Sequence, residues 1–290
     1  MNKLFDHDFF ARLNRLRLAS HIRLDQGQSG NRKSSARGSS VEFSDFREYL
    51  PGDDIRRIDW NAYGRLERLY IKQFMEEKEA WYHILIDSSA SMDFGACKKS
   101  DMALKLAAVF AWLVQKQLDR VEVISASAGR LDPLAPVTGR GGFQRLLLEL
   151  EKMEFSGTTA LSEAIRRMRL PGKGICIILS DFLDPAGIGE ALRYLTYKHQ
   201  EVLLLQILAR EEVEFEAEGT LALRDMETGK EVRLAMSRQT IGAYQDRLKQ
   251  HQEDLAKTAA RYGCKYLQVI SDQNLEEVIF ETLQKKGIFG

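Results

Sequence analysis

The stretch "WYHILIDSSASMDFG", residues 81–95, decides the fold. Residues 82–86 form an almost continuous apolar run, which predicts a buried β-strand. The run stops at Asp87, and Ser89 and Ser91 follow it at a spacing of two residues. A core strand that ends in one carboxylate and two hydroxyl groups indicates that oxygen atoms are needed at that edge of the sheet.

After residue 81 the chain alternates between apolar runs and helical patterns. Further strands are predicted at 121–127, 174–180, 202–208 and 265–270, and helices at 100–118, 142–153, 160–169, 187–198, 240–261 and 273–286. Continuously apolar strands separated by helices indicate an α/β fold with a mainly parallel sheet and helices on both faces. The segment 213–235 differs, because two alternating runs flank the turn-like sequence "METGKEV", and it predicts an inserted β-hairpin.

The first 80 residues follow other patterns. Residues 1–24 are predicted to hold an amphipathic N-terminal helix, with Phe5, Phe9, Leu13 and Leu16 on one face. Residues 25–80 are predicted to be a Gly- and Ser-rich linker followed by a small β-containing module, and residues 81–290 the main domain. Residues 11–38 carry seven Arg or Lys and one acid, which fits either a solvated surface or a patch that binds a partner or phosphate.

Composition places the chain among ordinary globular proteins. It has 290 residues, of which 44% are hydrophobic and 29% charged, and its formal net charge is zero. No global positive field would attract nucleic acid. The three cysteines, Cys97, Cys176 and Cys264, have no zinc-binding or C-x-x-C spacing. No secretory leader and no transmembrane segment are predicted, so we expect a cytoplasmic protein.

Two other stretches place oxygen-bearing side chains where they could join Asp87. Asp181 ends the strand in "ICIILSDFLDP", and "SGTTALSEAI", residues 156–165, places Thr158 and Thr159 before a helix. In an open parallel sheet, ligands bind outside the carboxyl ends of the strands. Oxygen ligands of this kind suit Mg²⁺ or Mn²⁺. The alternative is that these residues only cap the helices that follow them.

The combination "DSSAS", "GTTALSEAI" and "LSDF" resembles the metal-ion-dependent adhesion site of von Willebrand factor A-type domains. "GSSVEFSDFREYLPGDDIRRIDWNAYGRLERLYIKQF", in addition, resembles the signature of the bacterial domain-of-unknown-function 58 family, in which such a module precedes a von Willebrand A-like domain. Together the resemblances cover residues 25–286. They imply a von Willebrand A-like, Rossmann-like fold.

Position by position, the resemblance implies five metal ligands. These are Asp87, Ser89, Ser91, Thr159 and Asp181. In such sites the serines usually bind the ion directly, while one or both aspartates act through water. Thr158 stands where the family usually has Gly, which leaves open whether Thr158 or Thr159 faces the ion, and Ser40 likewise replaces a usual Gly.

The resemblance also implies a function, namely metal-dependent protein–protein recognition in which a partner's Glu or Asp completes the coordination of the ion. Family members often accompany AAA+ ATPases of the MoxR type, so a chaperone-like adaptor role is expected. The chain carries no recognisable catalytic base or nucleophile motif, and we therefore expect it not to be an enzyme. The alternatives are a magnesium-dependent phosphoesterase-like hydrolase and a structural scaffold with a vestigial metal site.

Overall fold

The computed structural model describes residues 41–76, 80–134, 136–137, 139–215 and 219–289, together with Phe9, Leu13, Leu16 and Leu18. The chain divides into two compact units. The smaller unit is Arg23–Glu79, and the larger one combines Met1–Ile22 with Ala80–Gly290.

The smaller unit contains a two-stranded antiparallel sheet, which fits the small β-containing module that the sequence predicts. Strand β1 (Val41–Glu48) pairs with β2 (Tyr70–Glu76), and a register shift between Phe43 and Asp45 marks a bulge. A 3₁₀ turn (Ile55–Arg57) and a short helix, α1 (Trp60–Leu66), connect the two strands. A bulge of this kind increases the local right-handed twist of the strand pair.

Acidic side chains fix the connection between β1 and β2. Asp54 accepts a hydrogen bond from the Arg56 N–H and caps the 3₁₀ turn, while Asp59 accepts from two amides and caps α1. Asp53 forms a bidentate ion pair with Arg47 at 2.6 and 2.7 Å. The charges of "PGDDIRRIDW" thus serve local turns and caps.

The larger unit is built on a six-stranded sheet. Its strands and the inserted hairpin are β3 (Trp81–Asp87), β4 (Arg120–Ser127), β5 (Arg130–Pro133), β6 (Gly174–Ser180), β7 (Gln200–Leu208), β8 (Gly219–Arg224), β9 (Glu231–Met236) and β10 (Lys265–Ile270). The sheet order is β10-β7-β6-β3-β4-β5, and β8 and β9 pair separately as an antiparallel hairpin. Only β5 runs antiparallel within the sheet.

Helices cover both faces of this sheet. They are α2 (Lys99–Lys116), α3 (Gly139–Leu150), α4 (Leu161–Arg166), α5 (Gly189–Tyr197), α6 (Arg210–Val213), α7 (Arg238–Arg261) and α8 (Leu275–Glu277), which continues as a π-helical turn (Val278–Leu283). In the described part of the chain, no helix is both long enough and apolar enough to cross a membrane.

Side chains alternate between two cores, one on each face of the sheet. In β3, Ile84 and Ile86 join a core with α2 and α3, whereas Leu85 joins a second core with α4, α5 and α7. Because both faces are covered, every position of the central strands can be apolar. The predicted α/β fold, with a mainly parallel sheet, helices on both faces and an inserted hairpin, is confirmed, and so is the small β-containing module that precedes it.

The edge strand β5 was not predicted, because its four residues lie at the rim and lack an apolar pattern. The predicted helix over 1–24 lies mostly outside the described residues. Of the four described residues in this range, Phe9 and Leu13 are helical and buried, Leu16 is not helical, and Leu18 forms an isolated bridge with Phe289. The linker over 25–40 and the basic residues of 11–38 also lie outside the described residues.

Gly174 offers a test of the strand packing. A Cβ added at this first residue of β6 would lie 2.7 Å from the Trp81 carbonyl oxygen in β3 and 2.6 Å from Gln200 Oε1 in β7. We expect Gly174→Ala to lower the free energy of unfolding by about 1–3 kcal/mol, because the central strands must move apart. Urea unfolding measures the change.

The matched control is Gly242→Ala in α7, where an added Cβ meets no atom within 4 Å. Alanine favours a helix over glycine by about 1 kcal/mol, so this variant should be as stable as the wild type or more so. Equal stability of Gly174→Ala and the wild type would contradict the close packing of β3, β6 and β7.

Candidate metal centre

The predicted site residues lie at the point where the strand order of the sheet reverses. Counted along the chain within the sheet, the strands run in the order 3-2-1-4-5-6, with β3 first and β6 fourth. Connections leave the adjacent strands β3 and β6 in opposite directions, which opens a crevice at their carboxyl ends. Asp87 is the last residue of β3, and Asp181 directly follows β6. The topology therefore brings both carboxylates to the ligand-binding edge.

Asp87 is the centre of a buried hydrogen-bond network. Its Oδ1 accepts from the Ser89 N–H at 3.0 Å, and its Oδ2 accepts from Ser180 Oγ at 2.6 Å and from Thr159 Oγ1 at 3.2 Å. Burial, and then the charge of Asp181, raise the pKa of Asp87 to about 6, although the bonds from Ser180 and Ser89 oppose the shift. At neutral pH the molecule thus holds a desolvated negative charge there.

Ser89 and Ser91, the two serines predicted as metal ligands, have no capping role. Ser89 precedes the 3₁₀ turn Ala90–Asp93, but its side chain accepts no hydrogen bond from the backbone of that turn. Its hydroxyl lies instead 3.1 Å from Ser91 Oγ. Ser89 is fully buried and Ser91 half-buried. The structure therefore brings both hydroxyls to the strand end without giving them a capping role.

Thr159, rather than Thr158, faces Asp87. Its hydroxyl donates to Asp87, whereas Thr158 is exposed and its carbonyl oxygen accepts from the Ala128 N–H at 2.7 Å. The residue that stands at the N-terminal cap of α4 is Ala160. Neither threonine side chain thus caps α4, and the helix-cap alternative does not account for Thr159.

Asp181 is held by a lysine that the sequence reasoning did not identify. Lys99 is fully buried, and its Nζ donates to Asp181 Oδ2 and to Glu212 Oε1, both at 2.7 Å. The Leu183 N–H donates to Asp181 Oδ1 at 3.1 Å. Burial raises the pKa of Glu212 against the opposing influence of Lys99. For Lys99, burial lowers the pKa but Asp181 and Glu212 raise it more, so the ammonium stays charged.

Two further polar residues support the loop after β6. The Phe182 N–H donates to Ser180 Oγ at 2.9 Å, and Phe182 itself has a φ of 54°, which bends the chain sharply after Asp181. Gln206 Nε2 donates to the Asp181 carbonyl oxygen at 2.9 Å. Ser180 could have been found from the sequence, since it stands beside Asp181 in "LSDF". Lys99, Glu212 and Gln206 come from other segments and give no local signal.

The donor set fits a hard divalent cation. Among the described residues, no group of three or more His, Cys, Asp and Glu side chains could hold a metal. A cation here would therefore depend on the hydroxyls of Ser89, Ser91 and Thr159 together with carboxylates, the ligands of Mg²⁺ and Mn²⁺. When ionised, the three carboxylates of Asp87, Asp181 and Glu212 exceed the charge of Lys99 by two, which one divalent ion balances.

Lys99 should contribute strongly to stability. Lys99→Met removes the ammonium and leaves Asp181 and Glu212 buried without a cation. We expect the free energy of unfolding to fall by roughly 3–5 kcal/mol. The matched control is Lys98→Met, which removes an exposed lysine paired with the exposed Asp93 and should change stability little. Equal losses in the two variants, measured by urea unfolding, would contradict this role.

The raised pKa of Asp87 predicts a specific pH dependence. Between pH 3.8 and about 6 the folded state keeps a proton that the unfolded state releases, so stability falls as pH rises through this range. At pH 7.5 in chelator, Asp87→Asn should be more stable than the wild type by up to about 3 kcal/mol. Near pH 4 the two should converge. A difference that is constant between pH 4 and pH 7.5 would contradict the assignment.

The chain is similar to several known proteins. Rv1480 from Mycobacterium tuberculosis is 28% identical over an alignment of 291 positions, which covers 97% of this chain and 92% of that protein. Among solved structures, an aerotolerance-related membrane protein from Bacteroides fragilis matches with 16% identity and a TM-score of 0.46, over 72% of this chain and 98% of that one. BatB from Bacteroides thetaiotaomicron matches over the same shares with 19% identity and a TM-score of 0.45.

The family model described as "Protein of unknown function DUF58" matches residues 45–254. This match begins within β1 and includes the central strands β3 and β6 and all five predicted ligand positions. The chain belongs to the domain-of-unknown-function 58 family.

Proposed function

We propose that this protein is a metal-dependent protein-recognition module. The observation that carries the proposal is the gathering of three hydroxyls around Asp87 at the strand-order reversal. Thr159 bonds to Asp87, while Ser89 and Ser91 bond to each other, and none of the three caps a helix. Oxygen atoms placed in this way, next to a buried carboxylate, suit a cation site better than a role in folding.

Each residue has a defined part in this function. Ser89, Ser91 and Thr159 would supply hydroxyl oxygens, and Asp87 would supply charge. Asp181 already accepts from Lys99 and Leu183, so it would act as a fixed charge and through water. When bound, Mg²⁺ or Mn²⁺ supplies an open coordination position that accepts a partner's Glu or Asp. The specificity of recognition would then come from the surface around the strand ends.

The proposed partner is an AAA+ ATPase of the MoxR type, with this chain acting as a chaperone-like adaptor. Membership of the domain-of-unknown-function 58 family supports this proposal, because members of that family often accompany such ATPases. The site chemistry supports a protein partner in general, since a recognition site that needs one acidic side chain suits a protein.

Serine variants test the metal site. In the wild type, millimolar Mg²⁺ or Mn²⁺ should raise the melting temperature, because a ligand that binds only the folded state stabilises it. Ser89→Ala and Ser91→Ala should abolish this rise and leave the melting temperature in chelator nearly unchanged. Ser88→Ala is the matched control, because Ser88 lies in the same stretch but bonds to Ser125 at 2.7 Å. This control should lose about 1 kcal/mol of stability and keep the metal response.

The partner is tested by direct binding. The purified chain and a purified MoxR-type ATPase from the same organism should associate in Mg²⁺ and separate in chelator, and Ser89→Ala should not associate in either. Association that persists in chelator and in both Ser89→Ala and Ser91→Ala would contradict metal-dependent recognition at this edge. A metal response without association would contradict only the identity of the partner.

A further inference from the structure

The inserted hairpin ends in a preformed turn. The β8–β9 turn is organised by Asp225, whose Oδ1 accepts from the Glu227 N–H at 2.8 Å and the Thr228 N–H at 3.0 Å. The Asp225 N–H also donates to the Lys230 carbonyl oxygen at 2.8 Å. Gly229, with a φ of 70°, closes the turn in a conformation that favours glycine. These bonds hold Glu227 in a defined place at the tip.

Glu227 reaches the candidate metal centre. Its Oε2 accepts from the Thr159 N–H at 3.0 Å, across 68 residues of sequence. The hydroxyl of the same Thr159 donates to Asp87. Glu227 is half-buried, whereas the other residues of the turn are exposed. One carboxylate from outside the sheet thus docks on a residue of the site, as the proposed function requires of a partner.

The base of the same insertion is fastened to the site as well. Glu212 in α6 shares the Lys99 ammonium with Asp181, and its carbonyl oxygen accepts from Tyr244 OH at 3.0 Å. Between base and tip, β8 and β9 are exposed along most of their length. With so little burial, the hairpin is held by its ends and can leave the site without disrupting a core.

We propose that Glu227 is an internal occupant of the carboxylate position beside the metal centre, and that a partner's Glu or Asp must displace it. This inference rests on the proposed function. A cation held by the hydroxyls of Ser89, Ser91 and Thr159 would attract Glu227 as it would attract a partner, so the two carboxylates compete. A partner's carboxylate therefore displaces Glu227 only when the partner makes additional contacts with this chain.

A defined probe tests the competition. N-acetyl-glutamate methylamide, which presents a single glutamate side chain, is titrated into the full chain in Mg²⁺ while the Thr159 amide resonance is followed by NMR. We expect Glu227→Ala to bind the probe at least about tenfold more tightly than the wild type. This factor follows if Glu227 leaves the carboxylate position vacant in a tenth of the wild-type molecules or fewer. The matched control, Glu231→Ala in β9, should behave like the wild type.

Binding of Mn²⁺ to the same variants, followed by electron paramagnetic resonance, separates the possible failures. If Mn²⁺ binds but Glu227→Ala and the wild type have equal affinity for the probe, the internal-occupant proposal is wrong and the metal centre stands. If Mn²⁺ binds neither protein, both proposals are wrong. If the probe binds Glu227→Ala more tightly and only when the metal is present, both are supported.

Discussion

The site depends on one buried ammonium. Lys99 lies at the start of α2 and joins Asp181, after β6, to Glu212, in α6. Removing a lysine and a carboxylate from water costs several kcal/mol per ion, and the cost is offset only when the partners meet at hydrogen-bond distance. The three elements can therefore take few other arrangements. This constraint fixes the position of the loop that carries Asp181 and the base of the inserted hairpin.

The remaining negative charge connects stability to function. Asp87 is fully buried, and hydrogen bonds from Ser180, Ser89 and Thr159 only partly offset the loss of water. Such a charge lowers the stability of the metal-free fold, because burial disfavours the ionised carboxylate. Its presence is understandable if a cation balances it in the working protein. Binding of the metal would then restore the stability that the metal-free protein lacks, so the stability of the fold would depend on its ligand.

Local sequence patterns were enough to predict the sheet but not all of the site. Buried strands such as β3 and β6 are apolar throughout, and the convergence of Asp87 and Asp181 follows from the rule that strand ends of a parallel sheet meet at one edge. The pairing of Lys99 with Glu212 spans 113 residues and leaves no periodic or adjacent signal. The choice between Thr158 and Thr159 depended on backbone geometry before α4, which spacing alone does not determine. The strand β5 escaped prediction because four residues at a sheet rim are too short for a pattern.

The strand order also has a consequence for folding. Strands β3, β4 and β5 are consecutive in the chain, and each pairs with the next. Strand β6 pairs with β3 only across an intervening stretch that includes α3 and α4. Long-range pairings of this kind form late, because the entropy of loop closure is lost before the contact stabilises the chain. The candidate metal centre lies at the ends of β3 and β6. Among its carboxylates, Glu212 comes last in the sequence and is therefore the last to leave the ribosome. A nascent or truncated chain therefore has the opening strand and its serines but no assembled site, so a ligand that needs the whole site would bind only molecules that have finished folding.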